Sequence, residues 1–309
     1  MKAMYCKKYG GPEVLELKDV PKPVPRDNEI LIKNMASAVN SGDVRVRGLD
    51  APFALRLAMR LIFGLTKPRR PVVGMIVSGI VDAVGDKVTE FKPGDKIFGS
   101  AGMHYGAHAE YLVLPENAVL AKKPQKASYA EAAAILFGGM TSIYFLRKGG
   151  IAEKADANVM IYGATGSVGV AAIELAKFFN ARVTAVCGEK GVELAKSLGS
   201  DKVLLYTRDE HKKAEEKYDI VYDAVGLTSK KDFAGVLAKN GKYLTVGSMD
   251  VAKETREQLH FLCDLFDSGR MQANIDKTYP LDHIVEAHRY VDTGRKKGNV
   301  VITIANQEK

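Results

Sequence analysis

Three glycines fall within seven residues in Gly163-Ala164-Thr165-Gly166-Ser167-Val168-Gly169. The apolar run Asn158 to Tyr162 precedes them directly, and the periodic stretch Val168 to Phe179 follows. A strand-to-helix turn of this kind uses glycine for a tight reversal, for close approach of backbone to a phosphate, and for close packing of helix on strand. The following helix turns its free N–H groups and the positive end of its dipole toward an anion. The six-residue frame ending at Gly169 opens on Ala164 rather than glycine. The strand before and the helix after therefore carry the expectation that Gly163, Ala164, Thr165, Gly166, Ser167, Val168 and Gly169 hold a dinucleotide pyrophosphate.

The end of the next strand in such sites normally offers an Asp or Glu to the adenosine ribose. Here it reads Val186-Cys187-Gly188-Glu189-Lys190. Cys187 stands where the acid is expected, Gly188 adjoins it, and Lys190 can pair with a 2′-phosphate. Tyr206, ending the third strand, adds a hydrogen-bond donor. Glu189 argues the other way, although at a helix start its carboxylate also serves the dipole. The balance predicts NADPH rather than NADH.

Metal chemistry finds little footing. Cys6, Cys187 and Cys263 are far apart, with no Cys-x-x-Cys, which excludes a disulfide framework and a closed cysteine-rich zinc site and suits a reducing compartment. His104 and His108 are the one close pair among six histidines; lacking a cysteine or carboxylate cluster, they read as loop or cleft residues rather than ligands. No metal is expected.

The elements that must position these residues change character along the chain. Met1 to Lys7, Glu13 to Lys18, Glu29 to Val39, Val72 to Val84, Lys96 to Phe98 and Ala109 to Leu114 are β-like and broken by Gly and Pro. That much strand without helix predicts a barrel-like β domain. After Pro124, Ser128 and Glu131 form a capping box ahead of an alanine-rich helix. From Asn158, strands (158–162, 181–187, 202–206, 218–225, 242–246) alternate with helices (168–179, 189–198, 229–238), as in a doubly wound parallel sheet. The tail holds helices over Thr255 to Asp267 and Leu281 to Val291 and a last strand, Asn299 to Ile304, whose natural partners lie in the first domain. The expected organisation is a discontinuous catalytic domain, 1–124 and 269–309, around a nucleotide domain, 125–268.

Pro93-Gly94-Asp95-Lys96-Ile97-Phe98, the Gly163 to Gly169 turn, Asp223-Ala224-Val225-Gly226 and Gly298-Asn299-Val300-Val301 together resemble the medium-chain dehydrogenase/reductase superfamily. The likeness is closest to its zinc-free quinone oxidoreductase-like branch and covers nearly the whole chain in order. It implies a GroES-like β-barrel catalytic domain and a Rossmann nucleotide-binding domain. Zinc-dependent members carry Gly-His-Glu where this chain has Gly74-Met75-Ile76, and a Cys where Asn40 stands; thioether and amide do not replace imidazole and thiolate around Zn²⁺. Without a Lewis acid, the easier task is hydride delivery to a quinone or an α,β-unsaturated carbonyl, with one or two donors on the developing oxyanion. By family position Asn40 is the first such donor, its alternative reading being a turn-forming Asn before Ser41-Gly42-Asp43; Tyr105 is next. The resemblance places Thr141, Val225, Gly226, Gly247 and Ser248 along the nicotinamide and ribose path, and Lys297, Gly298 and Asn299 near the cofactor. A zinc-free alcohol or aldehyde reductase and a non-catalytic NADPH-binding protein stay open as alternatives.

Ala51 to Leu65 is shorter than the ~17–25 residues that span a bilayer, and it carries Arg56 and Arg60. It reads as a helical lid over an apolar substrate cleft or as a basic amphipathic helix touching a membrane surface. With 46% hydrophobic and 27% charged residues among 309, the chain has a globular composition. Its net charge of +8 is spread along the whole length, so nucleic acid is not an expected partner. The N-terminus lacks an apolar signal-peptide core, and the expected location is cytoplasmic. Relatives usually carry a further strand after the Gly247-Ser248 position, where this chain has only Met249 to Glu254; monomer and dimer are both open.

Overall fold

The computed structural model describes residues 1–49, 53–248 and 250–305, apart from the side chains at positions 53, 54, 55 and 58. The chain divides into two units, Met1–Leu136 with Ile275–Lys309, and Phe137–Asn274.

The first unit begins with β1 (Lys2–Cys6) and β2 (Leu15–Asp19), an antiparallel pair. Then come β3 (Glu29–Val39), α1 (Ser41–Gly48), α2 (Phe53–Phe63), β4 (Ile76–Val84), β5 (Lys96–Ser100), β6 (Tyr111–Pro115), β7 (Val119–Lys122) and the start of α3 (Tyr129–Gly149). Eleven-residue β3 organises the sheet. One edge pairs with β4, while the other pairs with β6 through Glu29–Lys33 and, through Ala36–Val39, with the chain's last strand. Side chains at a period of two, Ile30 and Ile32 on β3 and Leu112 and Leu114 on β6, fill the interior with Val77, Val81, Ile97 and Leu120.

The second unit holds the rest of α3, then β8 (Asn158–Tyr162), α4 (Ser167–Phe178), β9 (Arg182–Cys187), α5 (Val192–Ser197), β10 (Lys202–Leu205), β11 (Tyr218–Asp223), β12 (Leu237–Thr245) and α6 (Arg256–Asp267). Its five strands are parallel in the order β10-β9-β8-β11-β12. The order reverses at β8, so the ends of β8 and β11 form the switch point where such sheets bind ligands. The capping box forms as expected, Glu131 Oε2 accepting from the Ser128 N–H at 2.8 Å. α3 is long and apolar enough to cross a bilayer, yet 67% of that stretch is buried inside the protein. Gly138 explains its fit: a Cβ there would lie 2.1 Å from the Ser167 carbonyl oxygen.

The chain returns to the first unit with β13 (Ile275–Pro280), α7 (Ile284–Asp292) and β14 (Asn299–Thr303). β14 is the strand that completes the far edge of β3. Met4, Cys6, Leu15, Val39, Ile284, Ala287, Val300 and Ile302 form a second core under α7. Buried Arg47 of α1 clamps it, donating to both oxygens of Asp292 at 2.8 and 3.0 Å and to the Gly10 carbonyl at 3.2 Å. Asp292→Ala leaves that guanidinium unpaired and should cost about 3 kcal/mol in urea unfolding.

One expectation fails, and one residue lies deeper than expected. The helix expected over Ser229 to Ala238 is a short 3-10 turn, Lys230–Phe233, and β12 already starts at Leu237. Asp232 satisfies the Ser229 N–H and hydroxyl locally, and Gly235 follows. His108 lies in the loop before β6, as expected, but inside the protein rather than on a cleft. It is fully buried, its Nε2 3.1 Å from the Ala38 carbonyl oxygen and its ring edge-on to His288. Burial holds its pKa down at about 4.

Candidate active site

Gly163 follows β8 with φ +74°, and a Cβ there would lie 2.0 Å from Val225 Cγ2. The Gly163 and Ala164 N–H groups both donate to the Val186 carbonyl, at 3.0 and 3.1 Å, tying the turn to β9. At Gly169 a Cβ would meet Gly163 O at 2.3 Å, so helix and strand touch backbone to backbone. Gly166 differs. It is the N-cap of α4 in an extended conformation that any residue adopts, and a Cβ would meet only Gly163 O, at 3.7 Å. Protein packing does not demand glycine there. Gly166 has no side chain and so gives α4 no side-chain cap. An open seat facing a helix N-terminus is what a pyrophosphate requires.

Cys187, at the end of β9, is buried, and burial raises its thiol pKa. Gly188 follows in extended conformation, with the Tyr206 hydroxyl 3.0 Å from where its Cβ would be. Tyr206 and Lys190 are both exposed. Glu189 is engaged by the Thr207 hydroxyl at 2.7 Å, which holds its carboxylate below the usual range. Fully buried Asp223, at the end of β11, builds the neighbouring loop. One oxygen accepts from the N–H of Val225 at 3.0 Å and of Gly226 at 2.8 Å, and the other from the Thr228 N–H and hydroxyl at 2.9 and 2.7 Å. Gly226 (φ +84°) and Gly247 approach each other to within 2.7 Å of a virtual Cβ. Ser248 is exposed, its hydroxyl donating to the Thr245 carbonyl. Thr141 lies on α3 beside Ser142, which donates to the Val168 carbonyl at 2.8 Å. The second unit thus carries its expected cofactor residues, all but Thr141 and the α4 start at the strand ends or in the turns that follow them. Asp223 was missed as a builder; its signal was an acid closing a strand just before Val225-Gly226.

In the first unit Asn40 is no loose turn residue. It N-caps α1, its Oδ1 accepting from the Gly42 N–H at 2.8 Å and the Asp43 N–H at 3.1 Å, while Asp43 Oδ2 accepts from the Asn40 N–H at 3.0 Å. The cap fixes the amide's orientation, and the other end, Nδ2, is a buried donor with no partner among the described residues. Asn-x-x-Asp at N-cap spacing was the signal for both Asp43 and α1. Tyr105, 9% exposed, sits at φ +55°; burial and then the negative charge of Asp43 push its phenol pKa well above the usual value. It lines a cavity of about 310 Å³ with Val46, Phe63, Val73 and Met103. The Lys297 N–H donates to Asp276 at 2.9 Å, Gly298 takes φ +85°, and Asn299 is buried. Burial lowers the Lys296 amine to about 8.

Burial, opposed by the Asn40 and Met75 N–H groups, pushes the Asp43 carboxyl up from 3.8 to about 7. A raised carboxyl contributes stability in full below its unfolded pKa and loses it as pH climbs through the folded value. Asp43→Asn should therefore flatten the decline in unfolding free energy between about pH 5 and 8, by about 2–3 kcal/mol. Glu174, also raised to about 7 by burial, slopes the same way in both proteins, so the difference isolates Asp43.

A glycine turn at the switch point of a parallel sheet in one unit, and a buried amide donor and a mostly apolar cavity in the other, are parts that an NAD(P)-dependent oxidoreductase uses, and the protein's relatives are of that class. Residues 26–125 match the alcohol dehydrogenase GroES-like domain family and 198–302 the zinc-binding dehydrogenase family. The chain is 33% identical to the 2-methylene-furan-3-one reductase of Solanum lycopersicum, over 98% of this chain and 79% of that protein. It is 28% identical to the chloroplastic NADPH-dependent alkenal/one oxidoreductase of Arabidopsis thaliana, over 98% and 79%. The solved quinone oxidoreductase of Coxiella burnetii superposes with a TM-score of 0.84 at 26% identity, over 99% of both chains. The chain belongs to the medium-chain dehydrogenase/reductase superfamily, in its quinone oxidoreductase-like branch.

Proposed function

We propose that this protein reduces quinones or α,β-unsaturated carbonyls with NADPH and without zinc. The observation that carries the reading is the Asn40 amide: its oxygen is spent on the α1 cap, and its Nδ2 is buried without a partner among the described residues. A preorganised N–H donor of that kind stabilises an oxyanion as it forms. Its partners are the Asp43 carboxyl and, through that carboxyl, the Met75 N–H, a set without the thiolate and imidazole that hold zinc.

NADPH, when bound, supplies the hydride. Gly163 to Gly169 seat its pyrophosphate; Gly188, Lys190 and Tyr206 receive the 2′-phosphate, with no carboxylate at Cys187 to repel it. Asn40 Nδ2 donates to the acceptor oxygen. Tyr105 keeps its proton at neutral pH and lines a cavity whose walls are mostly apolar, with Arg47, Arg69 and Arg70 among them, which suits a conjugated carbonyl or quinone. The relative named for NADPH-dependent alkenal/one reduction supports both the cofactor and the acceptor class.

The test follows NADPH and NADH oxidation after chelator treatment, against a quinone, an enone, an enal and a saturated aldehyde. NADPH-selective turnover of the conjugated acceptors is expected, at least about tenfold above NADH. Turnover of the saturated aldehyde alone, or activity lost with the chelator and restored by zinc, would overturn the reading.

A further inference from the structure

We propose that the face formed by α2 and the turn after it seats the protein on a bilayer containing anionic phospholipid. Among the described residues ten large apolar side chains are exposed, and five belong to this one face: Leu57, Leu61, Ile62, Leu65 and Met103, each 55–59% exposed. Leu57 and Leu61 are one turn apart on α2, with Arg56 and Arg60 beside them. Residues 51–81 hold five basic side chains, Arg56, Arg60, Lys67, Arg69 and Arg70, and no acid.

The face is built, not frayed. Arg60 donates to the Leu65 carbonyl at 2.8 Å, the Arg69 N–H to the Phe63 carbonyl at 2.7 Å, and the Tyr9 hydroxyl to the Gly64 carbonyl at 2.9 Å. Gly64 takes φ +129°, and a Cβ there would lie 2.1 Å from the Lys67 carbonyl oxygen. Arg70 donates to the His104 carbonyl at 2.9 Å, which brings Met103 to the same turn. Apolar residues that stay exposed on a fixed surface cost free energy unless something covers them. The charge selects what covers this one. A second copy would bring the same cationic rim against itself, whereas an anionic bilayer offers hydrocarbon at the centre and negative headgroups at the edge. Ile62 and Met103, both exposed, also line the 310 Å³ cavity together with Tyr105, so the cavity opens within the face. On the reductase reading, an acceptor dissolved in the bilayer reaches the site without crossing water.

Sedimentation with vesicles of phosphatidylcholine alone, and with about a third phosphatidylglycerol, tests this on the full chain. Wild type should bind the anionic vesicles about tenfold more tightly than the neutral ones, and less so at high salt. Leu57→Glu with Leu61→Glu, at exposed positions outside the cavity, should lose that binding about tenfold or more while the melting temperature stays. Equal binding to both vesicles, or full binding by the double variant, overturns the proposal. So does a wild-type dimer that the double variant converts to monomer, which would assign the face to a second copy. Turnover of a short water-soluble enone, followed on the same samples, keeps the two readings apart. Lost binding with retained turnover concerns the face alone, and retained binding without turnover concerns the reductase reading alone.

Discussion

Gly166→Asp should raise the Kd for NADPH about 100-fold or more while leaving the melting temperature unchanged or slightly higher. The two effects have separate causes. Gly166 is extended at φ −80° and ψ 175°, and its Cβ would make one ordinary contact at 3.7 Å, so the substitution strains nothing. Asp is a favoured N-cap: its carboxylate can accept from the first turn of α4 and complements the dipole, a gain of a few tenths of a kcal/mol over glycine. The same carboxylate would occupy the space the pyrophosphate needs. Two unit charges about 4 Å apart at an effective dielectric near 20 repel by about 4 kcal/mol, and each 1.4 kcal/mol is about tenfold in Kd. Gly169→Ala is the contrasting control. Its Cβ would be driven to 2.3 Å from Gly163 O and 2.5 Å from the Ala164 carbonyl carbon, so it should lower the melting temperature, because helix and strand must move apart. Titration of NADPH fluorescence beside a thermal melt reads both. An unchanged Kd for folded Gly166→Asp would mean that the pyrophosphate is seated elsewhere.

What the sequence disclosed is what neighbouring residues decide among themselves. The β8 turn, the α4 start and the Ser128 cap rest on patterns of seven residues or fewer, and the structure has them within a residue or two of expectation. The Asn40 pattern was equally local, yet a turn-forming Asn and an N-cap look alike until the four residues after it are seen to coil. Partners from distant stretches left no such trace. Asp223 draws on Val225, Gly226 and Thr228, and also on Tyr243 and Thr245 across the sheet. His108 is buried because β3 and α7 close over it from both ends of the chain. The cavity is assembled from Cys6, residues 46–47, 62–73 and 103–105. β7 is only four residues long and β13 has Asp276 and Lys277 where an apolar run would show, so only pairing shows them to be strands.

Asn40→Ser should lower kcat for quinone and enone reduction about 10²- to 10³-fold, with the KM for NADPH and the melting temperature nearly unchanged. The choice of serine separates two roles that one side chain performs. Ser and Asn cap helices about equally well, so Oγ can still accept from the Asp43 N–H and hold α1 in place. What serine cannot supply is an amide N–H at the position of Nδ2. If Asn40 served only as a cap, the substitution should leave turnover alone. That outcome would strike the oxyanion role from the mechanism. Asn40→Asp sharpens the contrast: it caps as well but adds negative charge where the acceptor oxygen gains it, and should fall below Asn40→Ser in rate. The penalty should be largest above about pH 7, where Asp43 also ionises and two carboxylates oppose the charge that arriving hydride creates.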